Sequence, residues 1–217
     1  MKPLITKTLI LMAVTLFAFT AKAQQEDYVI TTNGDSIKCK VIIPFIGSPK
    51  YKVEGTTGSK KIKITEVKEY SITRDNQTFR AVVIKNAGAL FPKKPVFMTV
   101  IEKGKINLYE MIYTTTGANG VSTSTKVWYV SKNTDTVSEL KTTSIFSMDS
   151  KKDRKDNFAD LIKDNKEVSD KYLSEKKFSF DAIQKLVYLY NTTGMPYKDP
   201  AVDISVKKDT ANNSNKN

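Results

Sequence analysis

The sequence predicts a mainly β fold, an antiparallel sandwich or curved barrel, with a C-terminal α-helical segment, α+β overall. Three observations predict it. Between Tyr28 and Leu140, about nine short runs that alternate or are β-branched are separated by Gly, Pro and Asn turn signals. An Asn33-Gly34 pair between two such runs is the strongest short hairpin signal. Near Ser150 the composition turns charged, and apolar residues recur at helical spacing.

Taken in order, Tyr28-Val29-Ile30-Thr31-Thr32 is a β-branched run, and the Asn33-Gly34 turn that follows favours positive φ at both positions. Ile37, Cys39, Val41 and Ile43 alternate with Ser36, Lys38, Lys40 and Ile42, a strand with one buried face that ends at Pro44, Gly47 and Pro49. Tyr51-Lys52-Val53 and Lys61-Ile62-Lys63-Ile64 are strands on either side of a turn at 55–58. Thr65 caps one helical turn over 65–68. Tyr70-Ser71-Ile72 and the run 79–84 flank a turn at Asp75-Asn76, and the runs 96–102 and 105–113 flank Gly104. The Thr/Ser/Gly-rich segment 114–124 reads as a mobile loop. A last hairpin joins Val127-Trp128-Tyr129-Val130 to 136–140 around Asn133-Thr134. Membrane barrels need longer lipid-facing strands, so this is not one.

Beyond Ser150, Phe158, Leu161 and Ile162 share a helical face, and Val168, Tyr172 and Leu173 continue the spacing. Ser179 is an N-cap with Asp181 in the first turn, and Phe180, Ile183, Leu186, Val187 and Tyr190 line the last helix, which Gly194 and Pro196 end. Helices this short need tertiary packing. The organisation expected is a signal peptide over 1–23, an antiparallel β domain over 24–148, a helical segment over 149–194 packed on it, and a disordered polar tail over 195–217.

The leader prediction rests on Lys2 and Lys7, the apolar run 8–20 and the small-x-small Ala21-Lys22-Ala23 pattern. The run is too short to span a bilayer, so cleavage before Gln24 is expected, leaving no transmembrane anchor in the mature chain. The protein is then exported, to the periplasm or the outer cell surface. Cys39 is the only cysteine, which excludes an intramolecular disulfide; its alternating context makes it a core thiol, and it is too far from the cut to be a lipidated first residue. The formal net charge is +12, lowered by three when the leader leaves. Almost every basic residue is lysine, the arginines being Arg74, Arg80 and Arg154, and the lysines are scattered along the chain. Nucleic-acid readers lean on the arginine fork, so a solvated lysine surface is the reading, with attraction to an anionic membrane or polysaccharide left open.

The chain has no histidine, which removes Ser-His-Asp and Cys-His catalysis and histidine metal sites. No phosphate-binding glycine loop or calcium loop occurs, and no metal or cofactor is expected. Asp153, Asp156, Asp160 and Asp164 form a stripe laced with Lys152, Lys155 and Lys163, a solvated helix face rather than a carboxylate pair around a cleft. Glu66 and Glu69 are a weaker pair still. Trp128 and Tyr129, with Tyr109, Met111 and Tyr113, are candidates to line a pocket for a sugar or lipid, weighed against plain core packing.

Asp35-Ser36-Ile37, Asp135-Thr136-Val137 and Asp209-Thr210-Ala211 resemble the acceptor motif of the O-glycosylation system of Bacteroidota-type bacteria, which makes Ser36, Thr136 and above all Thr210 candidate acceptors. The opening Tyr28-Val29-Ile30-Thr31-Thr32-Asn33-Gly34-Asp35-Ser36-Ile37 is similar to that of exported Bacteroidota proteins of unassigned activity, with Cys39 in place of their usual glycine. Gly104-Lys105-Ile106-Asn107-Leu108-Tyr109 and the stretch from Ile183 to Leu189-Tyr190-Asn191 also look like that group. The resemblance implies a periplasmic or surface-exposed accessory protein and carries no catalytic residue. The function expected is a non-enzymatic envelope protein that binds a protein partner or a surface glycan. The alternatives are a periplasmic carrier of a lipid or other apolar ligand and a carboxylate-based hydrolase.

Overall fold

A computed structural model describes residues 26–85, 94–117, 119–144, 147, 149–175 and 177–193. The leader, the tail, Thr210 and the helix-ending Gly194 and Pro196 lie outside the described residues. The strands are β1 (Asp27–Thr31), β2 (Ser36–Ile42), β3 (Lys50–Val53), β4 (Lys60–Lys61), β5 (Val67–Ile72), β6 (Gln77–Ile84), β7 (Val96–Glu102), β8 (Ile106–Thr116), β9 (Ser122–Lys132) and β10 (Thr136–Thr142). The helices are α1 (Lys151–Ile162), α2 (Lys166–Ser174) and α3 (Phe180–Asn191). The chain is mainly β with a C-terminal helical segment. All ten strands form one sheet, in the order β10-β9-β8-β7-β6-β5-β1-β2-β3-β4. Its neighbouring strands are antiparallel, but β10 also pairs in parallel with β6, through Thr136 opposite Val83 and Val137 opposite Ile84. That pairing closes β6 to β10 into a five-stranded barrel and leaves β5-β1-β2-β3-β4 as an extension of its wall.

The two faces of the sheet change roles along it. Directly opposed residues of an antiparallel pair share a face. In the barrel, the inward face carries Val82, Ile84, Met98, Tyr109, Val127, Tyr129 and Val137. The outward face of β8, β9 and β10 carries Ile106, Leu108, Trp128, Val130 and Leu140, and the helices cover it with Phe158, Ile162, Val168, Ile183, Leu186, Val187 and Tyr190. In the extension the apolar cluster is Val29, Cys39, Val41, Tyr51, Ile62, Val67, Tyr70 and Ile72, with Tyr70 stacked on Phe79 at 4.8 Å. Cys39 is buried there, and burial, then the charge of Asp27, push its thiol up to about 11, so it is an inert core group.

Each helix begins at a capping side chain. Ser150 accepts from the Asp153 N–H at 3.1 Å, Asn165 from Val168 at 3.2 Å and Ser179 from Ala182 at 3.1 Å. The far end of α3 is tied to the sheet. Asn191 accepts from the Ile106 N–H at 2.9 Å and donates to the Ile106 carbonyl at 2.7 Å, so its amide takes the place of a strand at the start of β8. Gly104 lies so close that a Cβ there would sit 2.3 Å from Asn191 Cγ. Tyr190 donates to Asp164 at 2.9 Å, and Lys132 reaches the same carboxylate at 2.8 Å.

Several local expectations are corrected. Most of the segment 114–124 is strand rather than loop: β8 runs on to Thr116 and β9 starts at Ser122, with hydroxyl pairs Thr114–Ser124 at 3.0 Å and Thr116–Ser122 at 2.9 Å across them. Threonine is a strand former and its hydroxyls pair across a ladder, which a composition rule for loops overlooks. The helical turn forms earlier, the Glu66 and Val67 N–H groups both donating to the Lys63 carbonyl, and strand 61–64 shrinks to Lys60–Lys61. At the first hairpin only Gly34 has positive φ, +94°; the Gly34 N–H donates to the Thr31 carbonyl, giving a three-residue loop instead of the two-residue turn. Leu173 points to solvent rather than sharing the buried stripe of Val168.

Candidate functional site

The structure separates the aromatic residues picked as pocket-lining candidates. Trp128 faces the helices: its ring meets Phe180 edge-on at 4.7 Å and its Nε1 donates to Glu110 at 2.9 Å. Tyr109, Tyr129, Met111 and Tyr113 belong to the opposite, inward face. Tyr109 and Tyr129 are fully buried, and burial pushes both phenols up, so both stay neutral. With Met98 between the same walls, these side chains fill the barrel themselves, as expected of small barrels.

The carboxylates are dispersed among partners. Asp153 accepts from Ser150, Asp156 from Lys152, Asp160 from Lys163 and Asp164 from Lys132 and Tyr190. Glu66 is exposed beside Lys63. Glu69 is buried, accepting from Lys103 at 2.7 Å and from Tyr28 at 3.1 Å, with Arg80 at 3.7 Å. Arg80 also donates to Asp135 at 2.9 Å, and Lys68 pairs with Asp135 at 3.0 Å. Burial raises the Asp135 carboxyl, but Lys68 and Arg80 outweigh it and hold the group below the usual range. Lys68, Arg80, Lys103 and Asp135 line a polar pocket of about 490 Å³ with Gly104, Asn107, Asn133 and Thr134. Every acid in it is matched by a cation, an arrangement that fastens the β9–β10 turn to β5 and β6. Among the described residues no group of three or more His, Cys, Asp or Glu side chains is placed to hold a metal ion. The hydroxyl-bearing Ser36 and Thr136 are exposed.

The feature that register creates lies on the extension. Tyr28 stands opposite Lys38, Lys40 opposite Lys52, Ile42 opposite Lys50, and Lys50 opposite Lys61. One face of β2-β3-β4 therefore presents Lys38, Lys40, Lys50, Lys52 and Lys61 together, while Cys39, Val41, Tyr51 and Val53 go to the core on the other. Lys38 has Glu26 at 3.5 Å, both ends exposed. Among the described residues Lys40, Lys50, Lys52 and Lys61 have no ion-pair partner. Like charges directly opposite cost a sheet about 0.2–1 kcal/mol per pair, and here two such pairs stand side by side. The face runs at one end into an open groove of about 570 Å³ between Glu26, Lys38, Lys40, Lys52, Val53 and Glu54. Along the chain the lysines look scattered; Lys38 and Lys40 are visible as the polar side of an alternating strand, but Lys50, Lys52 and Lys61 join them only through pairing.

No protein-family model, curated protein or solved structure matches this chain.

Proposed function

We propose that this chain is an exported, non-enzymatic binding protein of the cell envelope, in the periplasm or at the outer surface, whose lysine face holds an acidic partner. The observation that carries the reading is the face of Lys38, Lys40, Lys50, Lys52 and Lys61, which sets like charges opposite each other at a cost to stability. An anionic partner laid on that face, whether an acidic protein, a surface glycan or an anionic membrane, would neutralise them. Export rests on the basic start, apolar run and Ala21-Lys22-Ala23 pattern of the leader.

The test is titration with a soluble acidic polysaccharide such as polygalacturonate. The protein carrying Lys40→Gln, Lys50→Gln, Lys52→Gln and Lys61→Gln is compared with a charge-matched one carrying Lys105→Gln, Lys163→Gln, Lys171→Gln and Lys177→Gln. Loss of binding in the first and retention in the second is expected. Equal loss in both would reduce the effect to net charge and overturn the reading.

A further inference from the structure

We propose that the acidic partner is the surface of an anionic lipid bilayer, and that the loop joining β2 to β3 inserts its apolar tip there. The inference rests on the reading of the lysine face given above and names its partner.

The loop is Ile43-Pro44-Phe45-Ile46-Gly47-Ser48-Pro49, leaving β2 at Ile42 and re-entering at Lys50. Phe45 is 103% exposed, Ile46 83% and Ile43 51%. Other large apolar side chains that reach solvent, Ile112, Val121 and Leu173, stand singly, which is ordinary for a protein surface. Ile42, Ile43, Phe45 and Ile46 instead form one contiguous projection with no carboxylate in the loop. Pro44 and Pro49 limit the conformations the loop can take, which lowers the ordering cost of holding the tip out, and Gly47 supplies the positive φ, +101°, of its turn.

Charge decides what meets the tip. Lys50 and Lys61 stand at its base, and Lys40 and Lys52 lie about 7 Å further along the strands, two residues at the usual strand rise. All four are within a screening length, about 10 Å at 0.1 M salt, of a surface that the tip has entered. A lysine at an anionic bilayer surface contributes about 1 kcal/mol, roughly fivefold in partitioning. Lysine stems also lie along apolar surface while the ammonium reaches the headgroups, which suits them to the rim of an inserted tip. An apolar tip alone would be satisfied by any hydrophobic groove, and a basic face alone by any polyanion. A bilayer with acidic headgroups supplies both at the spacing of this loop, apolar beneath and negative at the level of Lys50 and Lys61.

The experiment is sedimentation with vesicles of phosphatidylcholine alone or mixed with phosphatidylglycerol, using the processed protein recovered from its own cells, its mass recorded. Binding that requires phosphatidylglycerol is expected. Phe45→Ser with Ile46→Ser should weaken it about tenfold or more, since burying such side chains is worth over 1 kcal/mol each. The four-lysine variant should weaken it at least as much. The changed side chains are exposed, or half-exposed at Lys50, so a urea midpoint no lower than the parent's confirms folding. In a Phe45→Trp protein, brominated lipid should quench Trp emission, and in the parent it should leave Trp128, buried beneath Phe180, unquenched. Binding lost with the lysines but kept in the Phe45→Ser, Ile46→Ser protein overturns insertion. Binding of polygalacturonate without binding of vesicles overturns this inference and leaves the lysine-face reading standing; binding of neither overturns both. A dimer that the tip variant dissociates, without vesicle binding, makes the tip a contact between copies and also overturns it.

Discussion

At the scale of single residues, the tie between Asn191 and Ile106 is the sharpest constraint outside the core. The two residues are 85 apart in sequence, and one side-chain amide meets both backbone groups of Ile106 where β7 has ended. Asn191→Ala leaves that N–H and carbonyl unpaired, and an unsatisfied buried group costs about 1–3 kcal/mol. Gly104→Ala acts on the same contact from the other side. Its Cβ would overlap the Asn191 side chain, and forcing extra volume into a packed site costs about 1–3 kcal/mol. Urea unfolding followed by circular dichroism should show both losses, and the double variant should lose less than their sum, because each removes the same interaction. Additive losses would mean that Gly104 matters for another reason. In the sequence, Gly104 is readable only as a turn residue, and Asn191 falls within a last helix expected to end at Gly194 and Pro196. The need for glycine comes from a side chain that no local rule brings near it, so this part of the fold was not legible.

At the scale of elements, local signals carried far. The Ser179 cap, the alternation of β2 and the apolar spacing of α1 and α3 follow from periods of 2 and 3.6 and from cap chemistry, all short-range, whereas the caps at Ser150 and Asn165 were not read. What local reading missed depends on a partner strand: Thr and Ser at the tip of β8–β9 are loop residues by composition and strand residues once their hydroxyls face each other. The attachment of α1 to β10 is a second case. Arg154 and Glu139 are both buried and paired at 3.2 Å, and Arg154 also donates to Ser147 and to the Asp149 carbonyl. Sequence shows Arg154 only as one of a charged run. Arg154→Met should destabilise the protein by about 3–5 kcal/mol, because it strands a buried carboxylate. Adding Glu139→Leu should recover much of that loss, since an apolar pair of similar volume removes the uncompensated charge. Thermal melts of the single and double variants decide it. A double variant no more stable than the single would show that the pair itself, rather than the orphaned charge, holds α1 in place.

At the scale of the whole molecule, the sheet has a face that is interior in one half and solvent-facing in the other, and charge follows that division. From β6 to β10 the face encloses Val82, Met98, Tyr109 and Tyr129; on β2, β3 and β4 its continuation carries five lysines. The run of short strands, about nine expected where ten form, and the helical segment were legible because they are sums of local periods. The closure through the parallel β6–β10 pair and the lysine face were not, because both depend on which strands become neighbours. That arrangement makes an unusual demand on stability. The ion pairs of the helices are mostly exposed and weak, so screening them loses little. The opposed pairs Lys40–Lys52 and Lys50–Lys61, in a chain of formal net charge +12, are repulsive and unpaired, so screening them gains. Raising salt from a few millimolar to about 0.2 M, where screening lengths fall below about 10 Å, should therefore raise the urea midpoint of this protein. In the Lys40→Gln, Lys52→Gln variant the low-salt midpoint should already be higher, by about 0.2–1 kcal/mol of stability, and its rise with salt should be smaller. A midpoint that falls with salt in both proteins would show that the ion pairs dominate and that the lysine face costs the fold nothing. The stability argument for an acidic partner would then lose its basis, and only direct binding could restore it.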